Sequence, residues 1–133
     1  MRSILPILLF FLVNNLSYAE EKTDKNTEKI NREVKKIMEM MALPRFGLYQ
    51  LASQDKYTSA DFLKASREVL KYASKMRAIT HPDAKFQKTN KEMLKALKPF
   101  EQAVKSGKKE EIKSKWLILN VKCNSCHVLY NIK

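Results

Sequence analysis

Between Thr27 and Leu43 the apolar residues fall at Ile30, Val34, Ile37, Met38 and Met41. Steps of three and four put these on one stripe of a helix, so a first helix with a single buried face is predicted there. Pro44 is expected to end it, since an interior proline loses a backbone hydrogen bond and clashes with the turn before it. The following "RFGLYQLASQDKY" (45–57) reads as an irregular connection carrying apolar anchors. Residues 20–26, ahead of the stripe, are polar and expected to be loose.

The same period returns twice. Thr58 or Ser59 can cap a second helix, with Asp61 in its first turn where the helix dipole favours an acid. This helix is predicted to run to about Ile79 and to bury Phe62, Val69, Ala73 and Met76. "THPDAK" breaks it, because the residue before a proline resists helical geometry. A third helix, Phe86 to Val104, turns Phe86, Met93, Leu94, Leu97, Phe100 and Val104 inward, with a kink or break expected near 95–99 because of Pro99. Gly107 in "SGKKE" is the stop signal. A fourth helix then covers about 109–131; "WLILN" within it could pass for a strand, but no partner strand is in prospect. Four helices joined by short connections predict an all-α fold, an antiparallel four-helix bundle.

Composition adds a compartment. The chain opens "MRSILPILLFFLVNNLSYAEEK", with Arg2 before an apolar run from Ile4 to Val13 and small residues Ser17 and Ala19 after it. This is the layout of a signal peptide, residues 1–19, cleaved after Ala19. An uncleaved anchor is the alternative, but a run of about ten residues is short against the roughly 20 that span a bilayer. Cleavage leaves residues 20–133 as one domain without a membrane span, and loss of Arg2 lowers the formal charge from +12 to +11. The lysines are spread along the helices, either as solvated faces or as a surface that draws acidic partners. An exported chain with no interleaving of aromatic and basic residues offers nothing to nucleic acid.

The chemistry is concentrated in "KCNSCHVLYNIK", 122–133. Exported proteins use cysteines mostly as disulfides, yet a bridge between Cys123 and Cys126 would close only a tiny loop and add little stability. At about 100° per residue, Cys123, Cys126 and His127 leave one face of the fourth helix, and Trp116, Leu119 and Tyr130 continue it. Haem attachment needs this grouping: two thiols to form thioethers with the vinyl groups and an imidazole for the iron. A structural zinc site wants four ligands, and only a distant His81, in a loop expected at the surface, could complete the set. A thioredoxin-like dithiol sits at the start of a helix after a strand, which is not the case here.

Export, four helices and one C-x-x-C-H near the C-terminus together resemble the cytochrome c′ family, the class II c-type cytochromes. "CNSCHVLYN" keeps the family's tyrosine as Tyr130, and Trp116 stands at its aromatic position seven residues before the first cysteine. "KSGKKEEIKSKW" is similar to the family's turn into the last helix, and "MEMMALPRFG" to the Met-rich end of its first. Three features depart from the pattern: Asn131 replaces an arginine, Pro99 falls in the third helix, and one extra residue separates the methionines from Phe46-Gly47.

The resemblance implies one covalent haem c held by Cys123 and Cys126, with Trp116, Leu119 and Tyr130 packed against it and His127 as axial iron ligand. It also implies that the first helix faces the other side of the iron. A methionine there gives a six-coordinate, low-spin iron suited to electron transfer; a Leu or Phe leaves the site open to NO or CO. Val34, Met38 and Met41 share a face that Met40 does not, so Met38 is the first choice for sixth ligand and Met41 the second. The expected function is a periplasmic electron carrier, not an enzyme, with acidic redox partners; the alternative is a gas-binding or NO-scavenging cytochrome c′. Members of the family are often dimers, and the fourth helix is apolar beyond its haem face at Leu117, Ile118 and Val121, as deep burial or a dimer contact would require.

Overall fold

The first helix does not stop at Pro44. In the computed structural model, which describes residues 6–56 and 60–130 (side chains from 25 to 56 and from 60 to 128), helix α1 runs unbroken from Pro6 to Ser53. Both the loose 20–26 segment and the irregular 45–57 connection are therefore corrected: residues 20–26 and most of 45–57 are helical. A proline inside a helix costs about 3 kcal/mol. Beyond Pro44, Leu48 is fully buried, and Leu51 and Ala52 pack against the core. Burying one leucine is worth roughly 1.5–3 kcal/mol, so two turns of packing offset the lost bond. Pro99 is overridden in the same way, with Phe100, Ala103 and Val104 buried after it and no break in the helix.

Helix α2 spans Ala60–Ala73 and tightens into a 3₁₀ segment, Ser74–Ala78. The caps proposed at Thr58 and Ser59 lie outside the described residues. Helix α3 spans Ala84–Ser106 and α4 spans Lys109–Tyr130, so "WLILN" is helical. Asp83 caps α3, its side chain accepting from the N–H groups of Lys85 and Phe86; the bond from Lys85 is the main reason its carboxyl sits below the usual carboxylate range. Helix α1 packs mainly on α2 and α3 mainly on α4, around a core that includes Phe62, Met76, Phe86, Phe100, Trp116 and Leu119. Helices α1 and α4 meet only sparsely. Among the described residues no helix is long and apolar enough to cross a membrane.

His81 is not a surface residue: it is 3% exposed and stacked on Phe86 at 4.3 Å. Its Nδ1 accepts from the Asp83 N–H, which leaves Nε2 as the protonated nitrogen donating to Asn31 Oδ1 at 2.9 Å. The imidazole thereby ties the α2–α3 connection to α1. Leu117, Ile118 and Val121, by contrast, are 51%, 51% and 61% exposed, so burial does not account for them.

Gly107 ends α3 at φ +68, with its N–H on the Ala103 carbonyl at 3.1 Å. A methyl group there would meet no atom within 4 Å. The penalty of Gly107→Ala is then backbone strain alone, about 1 kcal/mol. Its denaturant midpoint should fall accordingly, and Gly107→Asn should lose less, because asparagine tolerates the left-handed region.

Candidate functional site

The sparse contact between α1 and α4 marks a cavity of about 560 Å³. One wall belongs to α1 and carries Met38, Met41, Arg45, Phe46 and Tyr49; the other belongs to α4 and carries Asn120, Asn124 and His127. The volume lies within the roughly 300–1,000 Å³ usual for cofactor sites. Phe46 and Tyr49 are 60% and 54% exposed although they line it, so two large aromatic surfaces border an apolar space.

Helical periodicity explains the first wall. Met38, Met41 and Arg45 follow one another at three and four residues, which places them on the side of α1 turned to α4. Met38 and Met41 are both buried, and Met40, turned away as its register requires, packs at the edge of the core instead. On α4, Cys123 and Cys126 are free and unbridged, buried in the core at 3% exposure, and neither lines the cavity. His127 lies on the wall itself, and its Nε2 is buried without a hydrogen-bond partner. A buried imidazole nitrogen with no partner is costly unless something binds it.

The electrostatics separate the readings of the cysteines. Burial pushes the Cys123 thiol up to about 11, against the pull of the Arg45 guanidinium and with a further push from Cys126. Burial raises Cys126 as well. Both are protonated at neutral pH, whereas dithiol redox chemistry needs a thiolate. Burial lowers His127, and Arg45 lowers it further, so the imidazole is neutral with a lone pair to give. Among the described residues no group of three or more His, Cys, Asp and Glu is arranged to hold a metal ion, so the set needed for zinc is not assembled.

Of the other residues singled out in the sequence, Trp116 and Leu119 are fully buried in the core rather than on the cavity wall. Trp116 faces Phe100 with ring centroids 6.1 Å apart, and its Nε1 has no hydrogen-bond partner. The Tyr130 side chain and Asn131 lie outside the described residues. Sequence reasoning missed Arg45. Its Nε donates to Asn120 Oδ1 at 2.9 Å, and its Nη2 donates to Asn124 Oδ1. The missing signal was the helix: with α1 expected to end at Pro44, Arg45 had no face to belong to.

A second depression, about 590 Å³, lies between the 3₁₀ segment and α3, with Arg77, Lys91, Lys95 and Lys98 around His81. His81 is committed there to Asn31 and Asp83, and His127 lines the α1–α4 cavity but not this depression. It does not compete with the α1–α4 cavity. No family model matches the chain, and neither curated proteins nor solved structures give a significant match.

Proposed function

We propose that this protein is a monohaem c-type cytochrome of the class II kind, an electron carrier that works in the periplasm after removal of residues 1–19. The observation that carries the reading is the buried, unpartnered His127 Nε2 on the wall of a cofactor-sized cavity, facing a wall that holds Met38 and Met41. Cys123 and Cys126, about one turn or less from His127 along α4, are protonated thiols, the form in which they can add to vinyl groups as thioethers. A haem bound there would supply an iron that cycles between two oxidation states, the chemistry that polypeptide side chains lack.

The chain's own part is ligation and shielding. His127 offers a neutral nitrogen on one side, and a methionine of α1, Met38 before Met41, offers a thioether on the other. Methionine and histidine together favour the reduced iron and a high potential. Phe46 and Tyr49, which line the cavity while staying largely exposed, would lie along the outer edge of a cofactor bound there. The protein is proposed as a carrier and not an enzyme. Its excess of lysine and arginine over acids, +12 for the whole chain, favours acidic redox partners.

Absorption spectra of the exported protein, oxidised, reduced, and reduced under CO, test the proposal. A sharp low-spin spectrum that CO leaves unchanged is the expected result. A broad high-spin spectrum that CO shifts would replace electron transfer by gas binding at the same cavity. A protein without any haem band would end both.

A further inference from the structure

We propose that Arg45 sets the redox poise of the site: it bridges the two walls of the α1–α4 cavity and, among the described residues, is paired with no side-chain carboxylate that would offset its positive charge. The inference rests on the haem reading given above. Arg45 crosses from α1 to α4 by two hydrogen bonds, from Nε to Asn120 and from Nη2 to Asn124, where the two helices otherwise meet sparsely. Both acceptors are neutral amides. The guanidinium therefore gains position from its partners and loses no charge to them, unlike an arginine forked onto a carboxylate. The acid of the same cavity wall, Glu39, is drawn to Lys35 at 3.9 Å. Arg45 is also only half-buried, so its guanidinium is spared the full desolvation cost of the interior.

A fixed cation repels the oxidised iron more than the reduced one, because the oxidised state carries one more positive charge. Arg45 thus raises the potential of whatever iron centre the cavity holds. At an effective dielectric constant of about 20, a unit charge at a cavity-scale separation of about 12 Å is worth roughly tenfold in the reduced-to-oxidised ratio. For one electron, tenfold corresponds to about 59 mV.

The test uses the full, haem-loaded protein poised against a redox mediator. Arg45→Gln keeps a planar, hydrogen-bonding side chain and removes the charge; its reduced-to-oxidised ratio should fall about tenfold. Arg45→Lys keeps the charge and breaks the two-pronged bridge. It should hold the ratio within about threefold of the parent while lowering the thermal midpoint, a split that a merely structural role would not produce. Asn124→Asp, at an exposed position, places a carboxylate against the guanidinium and should lower the ratio in the same direction, even if Arg45→Gln fails to load haem. Ratios within twofold of the parent for both Arg45→Gln and Asn124→Asp would overturn the proposal while leaving the haem reading intact. A parent chain that carries no haem would overturn the two together.

Discussion

Exchange of Cys123 and Cys126 together for alanine should abolish every visible absorption band that stays with the polypeptide under denaturing conditions. In the parent those bands should survive denaturation, because thioether bonds do not depend on the fold. The effect is all-or-none for a chemical reason: once both sulfurs are gone, His127 supplies only a coordinate bond, which is lost when the helix unfolds. Alanine is preferable to serine at these positions. Both thiols are buried at 3% exposure, and a hydroxyl placed there without a partner would itself cost about 1–3 kcal/mol. Each single variant should keep a denaturation-resistant chromophore through its remaining thioether, at reduced yield. Far-UV circular dichroism of the double variant provides the control, since retained helix with no bound chromophore separates failed attachment from failed folding. A double variant that still held its chromophore through denaturation would refute attachment at this motif.

Much of this architecture could be read from apolar spacing, and the exceptions share a cause. The inward positions of α2 and α3 (Phe62, Val69, Phe86, Met93, Leu97) are buried as their three- and four-residue steps require. Gly107 was recognisable because a left-handed helix stop leaves glycine little competition. The prolines misled in the opposite direction. Their local cost is fixed and visible in the sequence, whereas the packing that outweighs it depends on where Leu48 and Phe100 land in three dimensions. His81 looked exposed for a related reason. A histidine beside a proline in a turn gives no hint that Asn31, fifty residues earlier, will meet its Nε2.

The candidate site divides along the same line. Cys123, Cys126 and His127 stand out in the sequence because their grouping is local, within one and a half turns of α4, and of the three His127 lines the cavity. Met38 and Met41 could be found because they belong to a periodic stripe. Arg45 could not, since its meaning lies in Asn120 and Asn124, seventy-five and seventy-nine residues away. Those contacts also supply a direction that periodicity lacks: they identify the azimuth on α1 that points to α4.

That azimuth decides between the methionines, and Met38→Leu should convert the reduced protein to a high-spin form that binds CO stoichiometrically. At about 100° per residue, Met38 lies about 20° from Arg45 around α1, and Met41 about 40° away on the other side. Pairing of Arg45 with Asn120 and Asn124 on an antiparallel helix puts His127 level with about residue 40. Met38 is then two residues off that level and Met41 one, or about 3 Å and 1.5 Å of helix rise, offsets that a flexible thioether side chain can cover. Direction is the harder constraint: both methionines line the cavity, and the one closer to the Arg45 azimuth aims its sulfur more directly at an iron between α1 and α4. Leucine conserves volume, so the swap should cost less than about 1.5 kcal/mol, where alanine at a position 5% exposed would cost about 2–5 kcal/mol and blur the spectrum with unfolding. Met41→Leu should stay low-spin and indifferent to CO. If Met41→Leu proves the CO-reactive variant, Met41 is the ligand and the azimuth argument fails. If neither changes a low-spin parent, no methionine of α1 ligates. A parent that already takes up CO would turn the whole cavity over to gas binding, with Met38 and Met41 reduced to packing around an open iron.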